Sequence, residues 1–357
     1  MEVYFASSRV KDFRQWWVPK ESLLEKMERL FFSASLDKII VKGGSVGIKV
    51  HFGEPGDVHY IRPAYVSRAV DIIKGLEASP VIVETAGLGW RPGRTSAKKH
   101  LLAARKNGFC EETLGAPIVM ADGDDGLDSS GGDVPVAKGI AELDSLIVLS
   151  HATGHIQAGF GGAIKNLGVG CVTKTGKFRV HFDGVPKIKD ELCDMCNECV
   201  EVCPVDAVHP PVINETACLL CNACLDVCDR RAIEVKMIDP MTLSERIAEN
   251  AKGAVDALGE NIGYINLLVD IIPHCDCHPH SDIPIVPDIG VLASKDPVAI
   301  DTASVDLINE APGINGSAFE GGSADKFSSI NPATNWRTQI ETAEKLGIGR
   351  MEYRLIQ

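Results

Sequence analysis

Basic residues are in deficit in this chain: 36 Lys and Arg stand against 49 Asp and Glu, giving a formal net charge of -13. That balance excludes nucleic acid as a general partner, because binding phosphate backbones needs a basic face. Long hydrophobic runs are missing too. No stretch approaches the roughly 18 apolar residues needed to cross a bilayer, so no membrane span is expected. The opening residues, Met1 to Asp12, lack the basic start and apolar core of a signal peptide, and the expected location is the cytoplasm. The Gly-Lys-Ser/Thr string of a Walker A loop is absent, and no sequence feature requires a flavin.

What the chain has in abundance is cysteine, and it is concentrated. Of the 12 cysteines, eight fall between Cys193 and Cys228. Cys193, Cys196, Cys199 and Cys203, the last followed by Pro204, follow the C-x2-C-x2-C-x3-C-P run of a bacterial ferredoxin. Cys218, Cys221, Cys224 and Cys228 repeat that spacing 25 residues on, an internal duplication. Three thiolates two residues apart let a short loop curl round one face of a [4Fe-4S] cube, and the fourth ligand comes from the other run. Two [4Fe-4S] clusters are therefore expected, one on Cys193, Cys196, Cys199 and Cys228, the other on Cys218, Cys221, Cys224 and Cys203. Structural zinc takes paired hooks and has no use for a third cysteine at the same interval. The second run lacks the proline: Cys228 is followed by Asp229, Arg230 and Arg231, whose positive charge would favour the reduced cluster.

Around this stretch the pattern is α/β. Short apolar runs at 2–6, 45–52, 80–84, 117–121 and 145–150 alternate with amphipathic segments at 19–33, 63–78, 96–106 and 136–143. Beyond it come a helix at 241–258, strands at 263–272 and 289–293, and helices at 298–309 and 336–346. Nearly continuous runs such as Leu146 to Leu149 favour a mostly parallel sheet covered by helices. The expected organisation is one α/β domain in two parts, residues 1–185 and 238–357, interrupted by a 2[4Fe-4S] ferredoxin-like module at 186–237.

In such folds ligands bind beyond the carboxyl ends of the strands. Four loops there carry functional groups. The first holds Lys49, His51, Glu54, His59 and Arg62; the second, 84–96, is glycine-rich with Arg91 and Arg94; the third contains His151 and His155. Glycines at 159–162 then open a candidate helix bearing Lys165, which suits an anion. Last, His274, Cys275, Asp276, Cys277, His278 and His280 crowd one short segment, a Cys/His-rich tract of the metal-binding kind.

The strings at 46–56, 159–170 and 287–301, together with the cysteine doublet, resemble the bacterial and archaeal iron-sulfur centre proteins catalogued as domain of unknown function family 362. The resemblance implies an α/β domain with a ferredoxin insert and supplies no substrate. A free ferredoxin needs only about sixty residues, so the remainder points to an oxidoreductase whose clusters feed a substrate or metal site. In that reading Lys49, Arg62 and Lys165 hold an anionic substrate, and His51 and His155 handle protons. Cys275 and Cys277 act as a dithiol or, with His151 and His155, bind an additional metal or cluster. His274 to His280, His151 to His155, and Lys165 are expected to converge on one pocket. An electron donor or acceptor protein is the expected partner. The competing expectation is a non-catalytic carrier or cluster scaffold whose α/β portion docks a partner.

Overall fold

The structure, a computed structural model, describes residues 1–90 and 93–357; Arg91, one of the two arginines of the second loop, lies outside the described residues. One eight-stranded sheet organises the chain. Its strands are β1 (Glu2–Ser7), β2 (Ser45–Lys49), β3 (Ser79–Glu84), β4 (Ile118–Met120), β5 (Ser145–His151), β6 (Ile262–Leu268), β7 (Gly290–Ser294) and β8 (Arg354–Ile356). They are ordered β8-β1-β7-β6-β5-β2-β3-β4. All neighbours pair in parallel except β7, which runs antiparallel to both β1 and β6.

The helices that matter for the site are α1 (Leu23–Ser33), α2 (Pro63–Gly75), α3 (Ala97–Lys106), α4 (Ala163–Gly168), α5 (Lys174–His181), α6 (Pro240–Leu258), α7 (Pro297–Glu310) and α8 (Trp336–Lys345). Their starts follow local chemistry. A capping box between Ser22 and Glu25 begins α1 at Leu23, not at Pro19. Asp296 accepts from the backbone of Val298 and Ala299 at the head of α7, where Pro297 gives up no needed donor.

Both faces of the sheet are covered. Every residue of β5 and β6 is buried, and the pleat sends Leu146 and Val148 into one apolar cluster and Ile147 and Leu149 into the other. Strands β5 and β6 pair directly although the cysteine-rich stretch lies between them in sequence. That stretch leaves through Phe182–Ile188 and returns through Ile233–Met237, which pair antiparallel. Between them a separate apolar cluster forms around Cys199, Val208, Ile213, Val227 and Ile233.

Several elements differ from the sequence expectation. The segment 136–143 forms only the single turn Lys138–Ala141, and the strand expected to run to Phe52 stops at Lys49. Strand β6 ends at Leu268, leaving 269–278 free to turn across the sheet edge. Helix α5 and edge strand β8 carry too little apolar periodicity to be anticipated. Among the described residues no helix is long and apolar enough to cross a membrane.

Candidate functional site

The carboxyl ends of β3, β2 and β5 open into a cavity of about 520 Å³, closed on its other sides by the 153–162 segment, α4, α5 and the Cys275 loop. Lys49, His51, His151, His155, Lys165, Cys275 and Cys277 all line it, together with His278. Arg62 does not. Its guanidinium, at the residue just before α2, pairs with Asp270 at 2.5 Å and is more than half exposed, so the expectation that it holds substrate is not met. His274 and His280 likewise fall outside the lining.

The floor is a buried ion network. Lys49 ends an apolar strand with its ammonium 2.8 Å from Glu84 of β3 and 2.9 Å from the Asn166 side-chain oxygen. Asn166 in turn donates to Leu149 O and Ser150 Oγ, which ties α4 to β5. Lys177 of α5 donates to Thr85 Oγ1 and Val172 O, and burial lowers its pKa to about 8. Arg94 donates to Glu54, to His51 Nε2 at 2.7 Å and to Cys277 O, bridging three loops. An arginine is always a donor, so the His51 Nε2 lone pair is engaged and the ring is neutral. Burial first, then Arg94 and Lys49, hold the His51 pKa well below its usual value.

Lys165 is different. Among the described residues its ammonium has no hydrogen bond or ion pair, and it faces the cavity. Burial lowers its pKa to about 8, with Asp276 opposing the shift. Its helix is set by Asp301 of α7, which accepts from Ala163 N (2.7 Å), Ile164 N (2.9 Å) and Asn266 Nδ2 (2.8 Å). Gly162 permits this approach, since a Cβ there would stand 2.3 Å from Asp301 Oδ1. Across the whole lining, four cationic side chains (Lys49, Arg94, Lys165, Lys177) face two carboxylates (Glu84, Asp276), a balance that suits an anionic ligand.

His151 is not available to a metal, contrary to expectation. Its Nδ1 meets Asp276 Oδ1 and its Nε2 meets Val269 O, each at 2.7 Å, and both partners only accept. The ring is therefore a doubly protonated strut. Burial alone would lower its pKa, but the Asp276 carboxylate outweighs that and raises it to about 9. His155 remains. One of its ring nitrogens and the sulfurs of Cys275 and Cys277 lie within 4.8 Å of one another, the spacing of a possible metal site. The two sulfurs are joined as a disulfide, with Cα atoms 5.3 Å apart.

Two further concavities lie in the 182–237 stretch. Cys193, Cys196, Cys199 and Cys228 line one; Cys203, Cys218, Cys221 and Cys224 line the other. Among the described residues these sulfurs form no group close enough for a single ion. The duplication extends to the backbone: Met195 and Leu220, Asn197 and Asn222, Asp206 and Arg231 are left-handed pairs, each pair with the 25-residue offset. Left-handed conformations at non-glycine residues are costly and persist where the surroundings dictate them. Ala207 N and Ala232 N donate at 3.2 Å to Cys203 and Cys228, again matched across the repeat. Arg230 is paired with Asp194 at 2.8 Å, which offsets part of the positive charge beside Cys228.

The second cysteine run touches the cavity wall. Gly89 N donates to Cys221 O, Trp90 N to Asp226 Oδ2, and Thr175 Oγ1 to Leu219 O. Gly87, Leu88 and Lys177, from the same loop and helix, line the cavity.

Glu84, Arg94, Asn166, Lys177 and Asp276 were not singled out from sequence as site residues. Glu84 and Asn166 adjoin apolar or glycine-rich strings, and Arg94 sits in a flagged loop. Asp276 sits inside the Cys/His-rich tract, and Lys177 gave no distinguishing signal beyond position.

Among solved structures, the lactate racemase apoprotein from Thermoanaerobacterium thermosaccharolyticum matches at 13% identity and a TM-score of 0.36, over 75% of this chain and 51% of that one. This chain thus spans about half the length of that protein. No curated protein matches. The family profile described as "Domain of unknown function (DUF362)" matches residues 46–306, and the chain belongs to that family.

Proposed function

We propose that the protein is an iron-sulfur oxidoreductase in which electrons reach a small anionic substrate in the cavity beside Lys165. The observation that carries this is the contact of the Cys218–Cys224 loop with the cavity wall, through Gly89 and Cys221 O. The two sets of four cysteines fit [4Fe-4S] cubes, because each set surrounds one concavity and combines three residues of one run with the fourth of the other. When bound, such clusters supply electrons one at a time. The chain's own residues then have separable tasks. Lys165 contacts the anion, Arg94 and Lys177 add positive potential, and the Lys49–Glu84 pair fixes the floor. The His151–Asp276 pair holds the Cys275 loop against β5.

Anaerobic purification tests the reading. About eight iron and eight sulfide per chain are expected from two cubes. After reduction with dithionite, a substrate of this protein should reoxidise the reduced signal in the wild type and much more slowly in Lys165→Met. Iron-free protein from anaerobic cells would end the proposal. The carrier reading has one observation in its favour: Phe13, Trp16 and Trp17 stand 67%, 83% and 66% exposed on one loop, where an electron donor or acceptor protein would find an apolar foothold.

A further inference from the structure

We infer that Cys275 and Cys277 form a two-electron dithiol/disulfide centre in the cavity, with Cys277 as the attacking thiol, and that its partner is a small anionic disulfide. The inference rests on the proposed oxidoreductase reading, since the clusters would supply the electrons that reduce the centre.

Three observations carry it. First, the two sulfurs already meet across one intervening residue, and their Cα separation of 5.3 Å lies within the range a disulfide needs. Second, among the described residues the histidine that stands close enough to both sulfurs to complete a metal site, His155, is already engaged. His155 Nδ1 accepts from the backbone N–H groups of Gln157 at 3.2 Å and Ala158 at 3.0 Å. Its lone pair there is occupied, so the neutral ring carries its proton on Nε2. Whichever nitrogen faces the sulfurs, none offers a free lone pair while the 155–158 turn keeps this shape. His151, the other candidate, has both nitrogens donating. Third, the two sulfurs are unequal. Cys275 is 7% exposed, whereas Cys277 is only partly buried and has His278 Nδ1 at 3.5 Å. A more accessible thiol beside an imidazole and a shielded thiol behind it are the arrangement that disulfide exchange requires.

The chemistry balances as follows. Two electrons, delivered singly through the clusters from an external low-potential donor protein, and two protons convert the Cys275–Cys277 disulfide to two thiols. The Cys277 thiolate then attacks one sulfur of the substrate disulfide, expelling a thiolate that takes up a proton. Cys275 attacks Cys277 in the resulting mixed disulfide, releasing the second substrate thiol and restoring the starting disulfide. Lys165, whose ammonium has no partner among the described residues, faces the same space and would hold a carboxylate of the substrate. Glutathione disulfide is a suitable probe, being small, anionic and a disulfide.

The experiment uses the full chain, purified anaerobically, and reads the peptide holding Cys275 and Cys277 by mass spectrometry after alkylation. Equilibrated in graded dithiothreitol buffers, the peptide should pass from zero to two labels together, with no population at one. Cys275→Ser protein, incubated with glutathione disulfide, should gain one glutathione on Cys277. Cys277→Ser should gain at least tenfold less on Cys275, and Lys165→Met should slow the first adduct. Stoichiometric zinc or iron lost on Cys277→Ser, or equal adducts on both cysteines, would overturn the inference. Iron analysis of the same samples separates the two claims. Clusters present with an inert pair defeat the inference alone, and a cycling pair without iron defeats the oxidoreductase reading while leaving the exchange chemistry standing.

Discussion

At the scale of single residues, titration separates the roles of the buried cations. The folded pKa of His151 is raised to about 9 from an ordinary value near 6.5. A raised base contributes stability that is fully present below about pH 6.5 and is lost as pH climbs through 9. Thermal melts between pH 6 and 10 should therefore show a fall on the alkaline side. The fall should reach about 3–4 kcal/mol at most, taking about 1.4 kcal/mol per pKa unit over the shift from 6.5 to about 9. His151→Gln should be less stable near neutrality and should lose most of this alkaline sensitivity. If the variant and the wild type decline in parallel, the His151–Asp276 pair is not the cause. Lys165 works in the opposite direction for binding: lowered to about 8, it loses its charge above that pH, so affinity for an anionic substrate should weaken there. Lys165→Met should cost about 1.5–3 kcal/mol of binding, the worth of a hydrogen bond to a charged group, read as a tenfold to hundredfold rise in KM.

At the scale of elements, close approaches of backbone fix the cavity. A Cβ on Gly154 would stand 2.1 Å from Pro273 O, so Gly154→Ala must push the 153–155 segment away from the Cys275 loop. The expected result is a loss of about 1–3 kcal/mol in urea unfolding, typical of overpacking. Activity should fall more than stability alone explains. Asp301 offers a second test. Asp301→Ala removes the acceptor of three buried donors, two backbone N–H groups at the head of α4 and the Asn266 amide of β6, and should cost about 3–5 kcal/mol, at roughly 1–3 kcal/mol for each buried donor left unsatisfied. Asp301→Asn keeps the shape but turns an amide N–H toward one of those donors, and should fall between. Equal stability of all three proteins would show that α4 is held by packing instead.

At the scale of the whole molecule, the sheet and the cysteine-rich stretch should come apart. The stretch has its own apolar cluster, and β5 and β6 pair without its help. Replacing residues 186–237 by a short linker should leave a protein with the circular dichroism of a folded α/β sheet and a cooperative melt. The midpoint should be lower, because the Gly89, Trp90 and Thr175 bonds are lost. A molten product would mean that the sheet depends on the insertion. Within the insertion, Cys228→Ala should damage the cluster built on Cys193, Cys196 and Cys199 and spare the one on Cys218, Cys221 and Cys224. Spectroscopy of the reduced protein distinguishes the two outcomes.

The sequence by itself determined whatever is local or periodic. The cysteine duplication, the buried runs of β5 and β6 and the polar loops at strand ends all follow from spacing along the chain. Convergence of the His155, Lys165 and Cys275 loops was legible for the same reason, since parallel strands bring successive loops to one edge. Partners far apart in sequence were decided only by tertiary structure. His151 reads as a metal ligand until Asp276, 125 positions away, takes its proton-bearing edge. Arg62 reads as a substrate clamp until Asp270 claims it on the outer surface. The antiparallel sense of β7 and the docking of β8 on β1 depend on long-range pairing that no local pattern encodes. A side chain's chemistry is fixed by its type, but which of its atoms remain free is fixed by what the fold brings beside it.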